Sequence, residues 1–171
     1  ISKKGEEPQF KKSALVRVPI RLGADTFING KISDINKERM IDAMNAFKLL
    51  MKVHKVEKYR ACATSAMREA SNGKEIVNEI LEKTAVKIDL INGKTEAEII
   101  FSTDLTDLID DNQSYLYVDV GGGSTECSVF SNGEIINSKS FKLGTVRLLN
   151  KSTDNKEKWK SMEKWIKKNT E

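Results

Sequence analysis

Long apolar runs, cysteines, histidines and charge of one sign are all scarce in this sequence, and each shortage narrows what the chain can be. No apolar stretch approaches the about 18 residues that a membrane-spanning helix needs, and the polar N-terminus resembles neither an anchor nor a secretory signal. The expected setting is the cytoplasm, with no membrane partner. Cysteines number two, Cys62 and Cys127, both in apolar, strand-like contexts without metal-ligand spacing. They read as buried free thiols in a reducing compartment, and a disulfide framework is excluded. The single histidine, His54, lies near the end of a predicted helix with no Ser or Cys partner in the sequence, so histidine-based catalysis is not expected. Lys+Arg total 29 against 25 Asp+Glu, a net of +4, and the basic residues are scattered as pairs such as Lys3-Lys4, Lys11-Lys12 and Lys167-Lys168. Such pairs are solvated faces; nucleic acid is not expected as a partner, and a polyanionic ligand is permitted rather than implied.

What is present is enough for a packed structure. At 171 residues and 39% hydrophobic content the chain can form one ordinary domain or parts of two smaller ones. Phe10 to Ile20 has the β-branched content of a strand, with Pro19 at its end, and a turn follows at Asn29-Gly30. Ser33 is placed to cap a helix whose Met40, Met44, Phe47 and Met51 form an apolar stripe expected in the core. Tyr59 to Thr64 reads as a short strand running into a helix start at Ser65. A second helix follows Gly73, with Ile76, Val77, Ile80 and Leu81 inward, and Val86 to Ile91 reads as another strand. Thr95 or an adjacent residue caps a helix running toward Ile109. After a polar stretch at Asp110 to Ser114 the pattern becomes a meander: Tyr115 to Val120, Glu126 to Phe130, a turn at Ser131-Asn132-Gly133, then Glu134 to Phe141. The tail from Asp154 to Lys168 has helical spacing, with Trp159 and Trp165 as packing anchors. The change of pattern divides the chain into residues 1–112 and 113–171.

Tyr115 to Phe130, YLYVDVGGGSTECSVF, carries the most chemistry. A strand delivers Asp119 to its C-terminal end, Gly121, Gly122 and Gly123 let backbone N–H groups approach an anion, and Ser124 and Thr125 add hydroxyl donors. Glu126 supplies a second carboxylate. Carboxylates attract hard cations while a glycine loop attracts phosphate oxygens, so the combination suits a phosphorylated ligand held with a divalent metal. An ordinary hairpin turn is the competing reading of three glycines, although a turn alone has no need of flanking carboxylates.

Five segments in order resemble one family: Arg21-Leu22-Gly23; Ala63 to Ala70; Ile91 to Phe101; Asp119 to Glu126; and Gly144-Thr145-Val146-Arg147. The sequence is similar to the exopolyphosphatase and guanosine pentaphosphate phosphatase family of the actin-like ATPase superfamily. The resemblance implies an α/β fold of two ribonuclease-H-like lobes with a cleft between them, the first lobe nearly complete at 1–112 and the start of the second at 113–171. It implies a phosphohydrolase that removes terminal phosphate from polyphosphate or from guanosine penta- or tetraphosphate, and a homodimer is compatible with the complete protein. It places Glu96 as general base, Asp119 and Glu126 as holders of Mg2+, Gly121 to Thr125 as phosphate cradle and Arg68 as a phosphate contact. On spacing alone Glu96 is a helix N-terminal acid favoured by the helix dipole, worth about 0.3–1 kcal/mol, and Arg68 a solvated charge; the motif context reverses that order.

The sequence also departs from the family pattern. Thr95 replaces the first of two adjacent glutamates, and neither the first lobe's opening phosphate loop nor the later glycine-rich loop is found. A piece of a family member is therefore expected, weakly active or inactive in isolation. Two alternatives share the motifs: a regulatory module that binds a phosphorylated nucleotide without cleaving it, and a sugar kinase or ATPase of the same superfamily.

Overall fold

The computed structural model describes residues 15–100, 113–132, 134–149 and 155–170. Two sheets organise it. Strands β1 (Ala61–Ala63) and β2 (Ile88–Leu90) pair in parallel, joined by helices α3 (Ser65–Glu69) and α4 (Gly73–Thr84). Parallel neighbours require such a crossover. Strands β3 (Ser114–Val120), β4 (Thr125–Ser131) and β5 (Glu134–Phe141) form an antiparallel meander in the order β3-β4-β5. Helix α5 (Gly93–Ile100) connects β2 toward the meander, and α6 (Thr145–Leu149) and α7 (Lys156–Thr170) follow β5.

The first core forms where α2 (Asp34–Val53) and α4 meet the β1-β2 pair. Ile32, Ile41, Met67, Ile76, Ile80 and Ile88 are buried together there. Ser33 caps α2 as expected, its Oγ accepting from the Asn36 N–H at 3.4 Å. The same hydroxyl donates to Asp25 at 2.6 Å, and Asn36 Nδ2 reaches that carboxylate at 2.8 Å. This ties α2 to the short elements before it, α1 (Leu22–Ala24) and a π-helix (Asp25–Asn29). The turn expected at Asn29-Gly30 is the close of that π-helix, with Gly30 at φ 75°. The second core packs Cys127, Phe141 and Leu143 against Met162, Trp165 and Ile166 of α7. Trp165 meets Phe141 edge-on, with centroids 5.9 Å apart.

Several expectations are corrected. Residues 15–20 are not a strand: they carry no strand pairing, and Leu15 is 81% exposed. A strand exists only through ladder partners, and none of the described strands lies beside this segment. Residues 10–14 lie outside the described residues. The stripe of Met40, Met44, Phe47 and Met51 is half-buried rather than fully buried: Met40 and Met44 pack against the first core as expected, and the four, with Val86 and Ile88, line an apolar cavity of about 290 Å3. Leu81 is exposed because Ile76 and Ile80, four residues apart, take the inward face of α4. Trp159 is exposed, so of the two tryptophans Trp165 is the packing anchor, beside Met162 and Ile166, and Cys62 is exposed while Cys127 is buried. The expected extension of α5 to Ile109 and Gly133 of the β4-β5 turn lie outside the described residues.

Candidate functional site

The hairpin register places the two metal-candidate carboxylates together. A four-residue loop, Gly121 to Ser124, leaves Val120 opposite Thr125 and Asp119 opposite Glu126 across the β3-β4 ladder. Residues directly opposite in an antiparallel pair point to the same face, with Cβ atoms about 4.5–5.5 Å apart. Glu126 is buried and accepts from Ser140 Oγ at 2.8 Å. Asp119 is half-buried, and no side-chain partner holds its carboxylate among the described residues.

Helix α5 brings the third carboxylate. Asn92, rather than Thr95, caps it: Asn92 Oδ1 accepts from the Thr95 N–H at 2.9 Å, and the Asn92 carbonyl from the Glu96 N–H at 3.0 Å. Asn92 lies just ahead of the first turn, where a short acceptor side chain can reach the free N–H groups. Gly93, the first helical residue, lies against the second sheet. A Cβ there would approach Ser140 at 3.1 Å and Glu126 Oε1 at 3.6 Å. The N-terminus of α5 therefore faces Glu126, and Glu96 is carried to the same cluster. Its carboxyl is pushed up from 4.5 to about 7, first by burial and then by the charges of Glu126 and Asp119, against the pull of Arg68 and a Thr64 hydrogen bond. Those causes place Glu96, Asp119, Glu126, Arg68 and Thr64 around one space.

Arg68 is held by donation of Nη1 to the Ile91 carbonyl at 2.5 Å. The guanidinium has five N–H donors, so the remaining ones can meet an anion. The glycine loop is set from behind: Thr145 and Val146 donate their backbone N–H groups to the carbonyls of Gly121 and Gly122 at 3.0 and 2.9 Å. With these carbonyls engaged, the N–H groups of Gly122, Gly123 and Ser124 have no partner among the described residues. Gly144 makes that approach possible, since a Cβ there would fall 2.4 Å from the Gly122 oxygen. Thr125 departs from its expected use as a ligand donor, because its buried hydroxyl donates to the Leu143 carbonyl. Ser124 Oγ makes no such bond among the described residues.

A model of the Ppx/GppA phosphatase family matches residues 7–171. The chain belongs to that family. Similar proteins include a bifunctional 3-dehydroquinate synthase/phosphatase of Fusobacterium nucleatum, 29% identical over 99% of this chain and 27% of that protein. Exopolyphosphatase 2 of Mycobacterium tuberculosis is 30% identical over 75% of this chain and 42% of its own length. The crystal structure of an exopolyphosphatase-like protein superposes with a TM-score of 0.73 at 28% identity, covering 90% of this chain and 53% of that one. The mixed α/β architecture expected from the sequence is thus the fold of the Ppx/GppA family. The chain spans about a quarter to about half the length of these relatives.

In the sequence Thr64 and Gly93 stand only within longer motifs, and nothing local marks Ser140. Ser140 could have been found from the β4-β5 register, which sets it opposite Glu126. Among the described residues no group of three His, Cys, Asp or Glu has the arrangement of a metal site. The chemistry of the donor set nevertheless fits a hard cation: two adjacent carboxylates, with no lysine or arginine paired directly to either among the described residues. No helix among the described residues is long and apolar enough to cross a membrane.

Proposed function

We propose that this chain forms one wall of a hydrolytic site that releases terminal phosphate from polyphosphate or from a guanosine polyphosphate. The observation that carries the reading is Glu96: a half-buried carboxyl raised to about 7 beside Asp119 and Glu126, next to a loop with unpartnered N–H groups. A general base is most effective when its pKa lies near the working pH.

Glu96 orients a water and accepts its proton as the water oxygen attacks the terminal phosphorus. The bond from that phosphorus to the bridging oxygen breaks, and the shortened chain leaves with the bond's electron pair. The Gly122, Gly123 and Ser124 N–H groups and Arg68 offer donors to the phosphoryl oxygens, where charge stabilisation contributes most to this chemistry. Asp119 and Glu126 are the residues that would hold Mg2+ or a similar cation, which supplies neutralisation of phosphate charge. Membership of the Ppx/GppA phosphatase family supports this reaction class over the sugar kinase alternative.

The test is Glu96→Gln in the complete protein, assayed by phosphate release from polyphosphate and from guanosine pentaphosphate. Turnover should fall by about 100-fold or more, the usual contribution of a general base, while ligand binding persists. Undiminished turnover removes Glu96 from the base role. Binding of both ligands by the unsubstituted protein with no phosphate released supports the regulatory module instead.

A further inference from the structure

The side chain of Arg147 has no part in the reading above, yet it makes three different contacts at once. Its Nε donates to the Gly123 carbonyl at 2.5 Å, its Nη2 pairs with Glu69 Oε2, and its guanidinium lies 4.3 Å from the centroid of the Phe27 ring. Phe27 in turn packs directly on Gly123, where a Cβ would fall 2.0 Å from the ring. Arg147 and Glu69 are 22% and 24% exposed at their side chains, so the pair is largely withdrawn from solvent. Such a pair is less screened than a surface ion pair.

Glu69 is the residue after Arg68. Two successive side chains of the short helix α3 therefore reach two separate elements: Arg68 holds the Ile91 carbonyl just ahead of the helix that bears Glu96, and Glu69 holds Arg147 and through it the glycine loop. We propose that Arg147 is a positioning residue that fastens the glycine loop to α3, so that the loop and the base-bearing helix keep one geometry. Only an arginine meets all three demands. Lysine has one nitrogen and no planar face, and could satisfy the carbonyl or the carboxylate but not the stack as well. Neither Arg147 nor Glu69 contacts the ligand in this role. Its consequence for ligand binding rests on the phosphate-cradle reading, whereas the mechanical coupling does not.

Amide hydrogen exchange on the full chain separates the two. The informative amides are Gly121, Thr145 and Val146 around the loop, and Arg68 on α3 with Ala70 at its C-cap, all hydrogen-bonded. In Arg147→Met, and equally in Arg147→Lys, exchange at both groups should rise together by about tenfold, the size of a coupled contact. Amides of α2 and of the β4-β5 ladder should stay unchanged. Adding Glu69→Gln should produce little further increase. Tripolyphosphate affinity, read by calorimetry, should weaken by about tenfold in both Arg147 variants. Full protection in Arg147→Lys, a rise confined to the loop, or a uniform rise through the chain overturns the proposal. The expected exchange pattern in a chain that binds no tripolyphosphate at all would sustain the coupling and reject the phosphate-cradle reading.

Discussion

A carboxyl held close to neutrality should leave a mark on stability. Glu96 is raised from 4.5 to about 7 in the folded chain. A carboxyl with a raised folded value holds its proton more tightly when folded than when unfolded. Stability therefore falls as pH rises from about 4.5 through about 7 and remains reduced above that window. Replacing Glu96 with Gln removes the charge and keeps the shape. A rise of this size corresponds to about 3.4 kcal/mol at ~1.4 kcal/mol per tenfold change, but Glu96 is only half-buried and solvent screening reduces this to about 1–2 kcal/mol.

Thermal unfolding of the wild type and of Glu96→Gln at about pH 4 and about pH 8 reads the effect directly. At pH 8 the variant should melt about 2–8 °C higher, given a few degrees per kcal/mol for a chain of this size. At pH 4 the position is protonated in the folded wild-type chain and mostly so in the unfolded one, so the difference should nearly vanish. If Asp119 and Glu126 hold Mg2+ as proposed, adding it should narrow the gap at pH 8, because its charge would offset the repulsion that Glu96 feels. The same melting difference at both pH values, or a variant less stable at pH 8, would refute the argument that burial and like charge raise Glu96.

Three further outcomes follow from single contacts. Gly123→Ala drives a methyl into the Phe27 ring and should cost about 1–3 kcal/mol in urea unfolding; Phe27→Leu in the same chain should recover part of that loss, and no recovery would show the ring is not the obstacle. Thr125→Val leaves the Leu143 carbonyl without its hydroxyl donor and should destabilise by about 1–3 kcal/mol while tripolyphosphate affinity stays within about twofold; a large loss of affinity without destabilisation would return Thr125 to the role of ligand donor. A thiol reagent should modify Cys62 in the native chain, whereas Cys127, buried and with its thiol pushed up by burial and Glu126, should react only after denaturation; equal native rates would contradict its placement.

These outcomes depend on two kinds of information, and only one was legible in the sequence. The meander could be read because alternation fixes which residues face together, and a four-residue glycine loop between matched runs fixes Asp119 opposite Glu126. The α2 cap could be read because Ser33 acts within three residues of itself. The β1 and β2 strands, three residues each, were anticipated, but their ends were not, since a short parallel strand extends only as far as its neighbour allows. Residues 15–19 show the same limit from the other side: β-branched content gives propensity, and propensity without a partner leaves an exposed segment, with only Ile20 after it buried.

The site itself required distances between segments that sequence spacing does not contain. Glu96 lies 23 positions before Asp119, and that number says nothing about whether they meet. They meet because Gly93 lets the first turn of α5 lie against Glu126 and Ser140. Arg147 illustrates the point further, since Glu69 is its partner across a separation of 78 residues. The motif containing Arg147 was visible as a pattern, but the reason for an arginine there is a carbonyl, a carboxylate and a ring contributed by three separate parts of the chain. A motif is thus read from sequence most securely when its residues act on one another, as Asp119 and Glu126 do across one hairpin. It is read least securely when each residue acts on a different element, and Arg68, Glu96 and Arg147 are all of that second kind.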